Sequence, residues 1–233
     1  MILKLANIVF EVKSRYRYTY DMCHDYLYSG DESPAFSIFA TNEQIIKERE
    51  KSPEFSDDIL ENTCIYRNIC NELLKYNAIL IHSAALSVDN RAYLFSANSG
   101  TGKTTHMNLW QERFGERAFV INGDKPIIRK ISDKFYVFGT PWCGKEGINR
   151  NSCVPLKSIC ILERAEKNEA VLVDSREAML FLLTQTIHPS EKELSYLMLD
   201  NLGQLIKQIP VYRLGCNMNP EACEVAYKAM SAE

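Results

Sequence analysis

The stretch Ala97-Asn98-Ser99-Gly100-Thr101-Gly102-Lys103-Thr104-Thr105 constrains this chain more than any other. It fits the phosphate-binding pattern A/G-x-x-x-x-G-K-S/T, with Ala97 in the first small-residue position. Gly100 and Gly102 allow a turn tight enough for successive N–H groups to face one anion. Lys103 is placed to reach β- and γ-phosphates, and the Thr104 hydroxyl to ligate Mg²⁺. The helix that follows aims the positive end of its dipole at the same anion. The expected nucleotide-binding residues are therefore Asn98, Ser99, Gly100, Thr101, Gly102, Lys103, Thr104 and Thr105. The flanks fit: Arg91 to Ser96 alternates like a strand, and Met107, Trp110 and Phe114 recur at helical spacing. A glycine-rich turn between strand and helix is the plainer alternative.

Composition narrows the setting. The chain has 233 residues and a formal net charge of −3, with 46% hydrophobic and 24% charged residues, as an ordinary globular protein has. Such a charge argues against a nucleic-acid partner. No apolar run is long enough to span a bilayer, and Met-Ile-Leu-Lys-Leu-Ala-Asn does not read as a secretory signal. A cytoplasmic protein without a membrane partner is expected. None of the eight cysteines forms a C-x-x-C pair, so they read as reduced, mostly buried thiols rather than a zinc site.

In chain order, residues 2–12 read as a strand and 36–39 as a second. Thr41 caps a charged helix over about 42–51. Asp57 or Asp58 starts a better helix with Leu60, Cys64, Ile69 and Leu73 on one stripe. Residues 1–75 read as an N-terminal α+β portion packed on the core, and 76–233 as the nucleotide-binding domain. The core opens with one strand, Ala78 to Val88, carrying His82. The Asp89-Asn90 turn pairs it in a hairpin with the strand before the phosphate loop. Ala118 to Asn122 is a buried strand ending in Gly123-Asp124, where a phosphate-loop protein keeps its Mg²⁺-binding aspartate. Two short strands precede a polar loop, Gly139 to Gly147, which reads as a lid with Trp142 as its reporter. Strands 156–163 and 169–173 follow, then a helix capped by Ser175. Ser190 and Glu193 form a capping box for the next helix, with Leu194, Leu197, Leu205 and Ile209 inward. A last strand, 210–214, leads to a helix begun by Asn219-Pro220.

His82, the phosphate loop and Gly123-Asp124, in that order, resemble the C-terminal catalytic domain of HPr kinase/phosphorylase. More loosely they resemble the core of phosphoenolpyruvate carboxykinase, whose phosphate loop Ser99 to Thr105 is similar to. The likeness covers roughly residues 78–164. It is strongest to the small HPr-kinase-like proteins of peptide-modification gene clusters. It implies an α/β (α+β) fold with a mixed-sheet core of that type. It implies ATP, or another nucleoside triphosphate, with Mg²⁺ held by Thr104 and Asp124. The activity implied is phosphoryl transfer to a hydroxyl of a peptide, small protein or small molecule, with Lys103, Asp124 and His82 catalytic. Homo-oligomerisation is compatible with it, as is a phosphorylase direction using phosphate or pyrophosphate. Two departures stand out. Gly123 occupies the place of the first of two acids, the proton acceptor, and Thr104-Thr105 replaces a Ser-Glu pair. A nucleotide-binding module with degraded catalysis is therefore the rival reading. Taken alone, His82 reads as a satisfied buried histidine, Asp124 as a strand-end turn residue, and Lys145 and Arg150 as loop charges. The alternative for the last two is neutralisation of phosphate charge.

Overall fold

A computed structural model describes residues 1–98 and 100–232. At the N-terminus β1 (Ile2–Leu5) and β2 (Ile8–Lys13) form an antiparallel hairpin. The expected single strand is broken there because Ala6 and Asn7 take positive φ, 50° and 59°, the geometry of a tight hairpin turn. After α1 (Arg17–Met22), β3 (Ser37–Phe39) adds to β2 in parallel. Thr41 caps α2 (Asn42–Lys51) through a reciprocal capping box with Gln44. Then comes α3 (Asp57–Leu73), whose Leu60, Cys64, Ile69 and Leu73 stripe is buried.

The second sheet is mixed. Its strands are β4 (Ala78–Leu80), β5 (Ala84–Val88), β6 (Arg91–Ser96), β7 (Ala118–Asn122), β8 (Ile127–Ile131), β9 (Lys134–Phe138), β10 (Cys153–Arg164), β11 (Glu169–Leu172) and β12 (Val211–Cys216). The order runs β4-β8-β9-β10-β6-β5-β7, with β12 on β10 and β11 on β12. Helices α4 (Lys103–Phe114), α5 (Ser175–Leu183), α6 (Lys192–Gln208) and α7 (Glu221–Met230) complete the α/β architecture. The strand expected from Ala78 to Val88 is two strands. At the break the His82 N–H donates to the Gln185 carbonyl at 2.7 Å and the Ser83 N–H to the Asp124 carbonyl at 3.0 Å. The backbone at 82–83 is thus satisfied by loops rather than by a neighbouring strand. The β5–β6 hairpin forms as expected, with Asp89 and Asn90 at φ 49° and 59°.

Sheet direction gathers the site. β6, β10 and β12 run parallel, and β7 and β6 are both antiparallel to β5, which lies between them. The C-terminal ends of β6, β7, β10 and β12 and the N-terminal end of β5 therefore share one edge, where open α/β sheets take ligands. The N-terminal portion is continuous with this sheet in packing: Phe10, Tyr26, Ile65 and Ile69 share one apolar cluster with Leu80, Ile127, Phe138 and Trp142.

Helix starts differ in detail from the sequence reading. Asp174, not Ser175, caps α5 by accepting from the Glu177 N–H. α6 has Glu191 in the cap position without a side-chain bond, so the Ser190–Glu193 box does not form. Its buried stripe is Leu194, Met198, Leu202 and Leu205; Leu197 faces solvent because the stripe drifts one position. α7 begins one residue later than expected, with Pro220 at the cap. All eight cysteines are free thiols, most of them buried. Among the described residues no helix is long and apolar enough to cross a membrane.

Candidate functional site

The glycine-rich turn expected to bind phosphate leaves the C-terminal end of β6 and enters α4. Gly100 and Gly102 have φ of 75° and 123°, values that side chains resist. The Thr101 hydroxyl and N–H both donate to the Asn98 carbonyl, at 2.8 and 3.2 Å, closing the turn. Ser99 lies outside the described residues. α4 is held from below: Met107, Trp110 and Phe114 are buried against Tyr93, Phe95 and Tyr227. His106 is buried on this helix. Its Nε2 accepts from Trp110 Nε1 at 3.0 Å, and burial pushes its pKa down to about 4.

Lys103 Nζ donates to the Ala97 carbonyl at 3.2 Å, so the ammonium folds back over the mouth of the loop. Half-burial lowers its pKa, and the nearby Asp124 charge pushes it back up. Asp124 enters from the end of β7. The buried Asn122 side chain accepts from the N–H groups of Asp124 and Lys125, at 2.9 and 2.6 Å, and its Nδ2 donates to the Thr140 carbonyl at 3.0 Å. That turn fixes the direction of Asp124. Asp124 Oδ1 lies 2.9 Å from His82 Nε2, and Oδ2 lies 3.0 Å from Lys125 Nζ. Burial alone would raise this carboxyl, but the His82 hydrogen bond and the Lys125 charge hold it at about 2. His82 is anchored in turn, its carbonyl accepting from Ser96 Oγ at 2.8 Å.

The structure thus brings together Lys103, Asp124 and His82, which lie far apart in sequence. Thr104 is at the same edge, its hydroxyl donating to Glu146 Oε1 at 3.4 Å. Thr105 is exposed on the first turn of α4. Lys145 is on the exposed tip of the 139–147 loop, and Arg150 lies over the Phe119 ring at 4.4 Å, back along β7. Arg150 is not brought to the phosphate loop, because its N–H pairs with the Ile121 carbonyl at 2.9 Å. The loop also differs from a free flap. Trp142 is only 5% exposed and packs on Tyr66 with ring centroids 4.8 Å apart, so the exposed part is 144–148. Gly123 is not in the left-handed region; a Cβ there would lie 3.0 Å from the Cys143 carbonyl oxygen. Close approach of the loop backbone explains this glycine.

Several residues of the site went unread in the sequence. Lys125 adjoins Asp124 in the chain and was open to notice. Asn122 carried the signal of an Asx turn at a strand end. Arg164 was visible only through topology: it ends β10, and its Nη2 donates to the Gly100 carbonyl at 2.6 Å. Beside it a cavity of about 460 Å³ opens between the phosphate loop, Leu109 and Met218.

The sequence model of one family, described as SynChlorMet cassette protein ScmC, matches residues 48–230. The chain belongs to the ScmC family. The ScmC match takes in every site residue above and leaves out β1 to β3. Among solved structures, this ScmC-family chain is similar to one titled Structure of the Hpr(Ser) kinase/phosphatase from Coxiella burnetii. Identity is 12% and TM-score 0.34, with 66% of this chain and 99% of that chain covered. Curated protein sequences give no match.

Proposed function

We propose that this ScmC-family protein binds a Mg²⁺–nucleoside triphosphate, ATP first among them, on residues 97–105 and transfers its γ-phosphoryl group to a hydroxyl. The acceptor is a Ser or Thr of a peptide or small protein, or a small molecule, as the motif resemblance to HPr-kinase-like proteins implies. The observation that carries the reading is the convergence of Lys103 and the His82–Asp124 pair at the mouth of one glycine turn. Phosphoryl transfer asks the protein chiefly for positioned charge, and these groups supply it. The triphosphate lies along the loop N–H groups with Lys103 on its outer phosphates. The nucleoside extends into the cavity lined by Thr105, Leu109, Arg164 and Met218.

The donors available for Mg²⁺ are hard oxygens, the Thr104 hydroxyl and the Asp124 carboxylate, with Glu146 beside Thr104. Among the described residues no three His, Cys, Asp or Glu side chains form a metal cage. This fits an ion that is held by one or two protein oxygens and by nucleotide phosphates. Bound there, it would neutralise charge on the transferring group. His82, on Asp124, is the group placed to take the hydroxyl proton. The cytoplasm, with its reduced thiols, is the setting this reading favours.

Calorimetry with ATP and Mg²⁺ tests the binding. Lys103→Ala should weaken it about ten- to 150-fold, from a charge-assisted contact of about 1.5–3 kcal/mol. Equal affinity in both proteins would remove the reading. Release of radiolabelled γ-phosphate, with water standing in for the acceptor, tests the chemistry: Asp124→Asn should abolish its Mg²⁺ dependence. One observation favours the rival, a nucleotide-binding module: both Asp124 oxygens already carry partners. Tight ATP binding with no γ-phosphate release, and none in Asp124→Asn either, would select it.

A further inference from the structure

Helices α2 and α3 meet along a polar seam. To it α2 turns Gln44, Lys47, Glu48 and Lys51, spaced i, i+3, i+4 and i+7. In the same spacing α3 turns Cys64, Arg67, Asn68 and Asn71. Stripes of this spacing are the faces on which helices pack, and they are ordinarily apolar. Here every member but Cys64 is polar, and a cavity of about 430 Å³ opens between the helices, with residues 187–190 at one end. Its charge is one-sided. Glu48 is the only acid that lines it, is 6% exposed, and is taken by Arg67. Arg67 keeps 43% of its side chain exposed. Lys51 is exposed and forms no ion pair among the described residues. Lys47 holds Glu43 at 2.7 Å, but both side chains are mostly exposed, and such a pair exchanges at little cost. The Cys64 thiol feels Arg67 and Lys51 together, so the two cations overlook the same floor.

A path leads from this cavity to Asp124. Arg67 also lines the next cavity along α3, of about 370 Å³, which Lys125 and Gly144 line as well. Lys125 pairs with Asp124 at 3.0 Å, and a Cβ built on Gly144 would lie 3.0 Å from Asp124 Cβ. Lys47, Lys51, Arg67 and Lys125 thus follow one another toward Asp124, in a chain whose net charge is −3. Cations in series select anions in series. Arg67 reaches Glu48 through Nη1, which leaves its other N–H groups for a second carboxylate. An extended polypeptide advances about 3.3 Å per residue, so its side chains can meet several of these cations at once, as a single small ion cannot. We propose that the groove between α2 and α3 binds an acidic segment of a polypeptide, its Asp or Glu carboxylates on Arg67, Lys51 and Lys47. As the holding point of a phosphoryl acceptor whose hydroxyl reaches Asp124, the groove rests on the function proposed above. As a site for acidic peptide it stands independently of that function.

The test is fluorescence anisotropy of a labelled peptide of alternating Glu and Gly, with the full-length protein at low ionic strength and no nucleotide. A second peptide carries Gln at every Glu. Saturable submillimolar binding of the Glu peptide, with the Gln peptide about tenfold weaker or worse, is the expected result. Arg67→Ala would strand the buried Glu48, so charge is reversed at the exposed lysines instead. Lys51→Glu should weaken the Glu peptide about threefold, and Lys47→Glu with Lys51→Glu about tenfold. Lys228→Glu makes the same charge change on α7, which packs in a different apolar cluster, and should leave the affinity unchanged. Equal binding of the Gln peptide overturns the proposal. So does an affinity that survives the double variant, or one that Lys228→Glu lowers as much as Lys51→Glu does. Calorimetry with citrate and inorganic phosphate covers the remaining case: saturable binding of either, with none of the Glu peptide, makes the groove a small-anion site and overturns the proposal, as does no binding at all. Lys103→Ala should keep the full affinity for the Glu peptide. Failure here therefore leaves the nucleotide result untouched, and the converse holds.

Discussion

Gly123 is the position where structure and sequence most directly disagree about cause. A Cβ built there would lie 3.0 Å from the Cys143 carbonyl oxygen and 3.5 Å from that of Ile148. The loop cannot retreat freely. Gly123 N–H donates to the Ile148 carbonyl at 3.0 Å, and Arg150 N–H to the Ile121 carbonyl at 2.9 Å. Forcing a methyl group into such a contact costs about 1–3 kcal/mol. Because φ at Gly123 is ordinary, alanine also recovers about 0.4–1 kcal/mol from the unfolded chain. Gly123→Ala should therefore cost about 1 kcal/mol net. Gly123→Asp brings a carboxylate against two carbonyl oxygens beside Asp124, adding desolvation of about 1–3 kcal/mol. It should cost about 2–4 kcal/mol, with no faster γ-phosphate release. For a chain of this size each kcal/mol lowers Tm by about 2–4 °C. Urea titration and scanning calorimetry of wild type, Gly123→Ala and Gly123→Asp give the ranking. Unchanged stability in Gly123→Asp, together with faster release, would refute the close-approach argument and restore a lost catalytic acid as the reason for this glycine.

Two further predictions follow from the same edge of the sheet. His106 is buried neutral with its folded pKa at about 4, below its ordinary 6.5, so the unfolded chain binds more protons between those values. Stability should be intact above pH 6.5 and fall by roughly 3 kcal/mol as pH drops to about 4. His106→Gln should flatten that slope in urea titrations across the window; an equal slope in both proteins would count against the buried neutral ring. Arg164 ties the end of β10 to the Gly100 and Thr101 carbonyls. Arg164→Ala should weaken both ATP and inorganic tripolyphosphate several-fold, with little change in Tm; weakening of ATP alone would mean that Arg164 acts on the nucleoside rather than on the loop.

What the sequence made legible was what contiguous residues encode. The Gly100 and Gly102 turn between β6 and α4, the Asp89-Asn90 hairpin, the Met107/Trp110/Phe114 face and the Asp124 strand end each sit within a short window, and each formed. What stayed hidden depended on sheet order. Arg164 reaches Gly100 because β10 pairs with β6 in parallel, a fact that no local pattern around residues 153–164 contains. His82 lies in a break, not on a strand, because its N–H finds Gln185 from the end of α5. The burial of His106 is hidden for a related reason: a histidine one position from Met107 looks solvent-facing until Phe95 is known to close over it, ring centroids 4.8 Å apart. Trp142 reads as the reporter of a lid because it lies in a polar loop with three glycines, but α3 supplies Tyr66 as its stacking partner from a remote part of the chain.

These placements change how the two functional readings are weighed. At the level of sequence, Gly123 favours the non-catalytic module, because the resemblance expects an acid there. In the fold, position 123 directs its missing side chain at the Cys143 and Ile148 carbonyls, whereas Asp124 beside it meets His82. An acid at 123 in this backbone would face the 143–148 loop and not the glycine turn before α4, so its absence says little about catalysis. The decision passes to Asp124 and His82. A carboxylate offers about four lone-pair sites, and His82 and Lys125 occupy one on each oxygen. Asp124 can therefore accept a further partner without releasing either. His82, held at 2.9 Å by a carboxylate that stays ionised, is then the base-capable side chain on Asp124. Loss of γ-phosphate release in His82→Ala with ATP affinity retained is the outcome that separates a working transferase from a module that only binds.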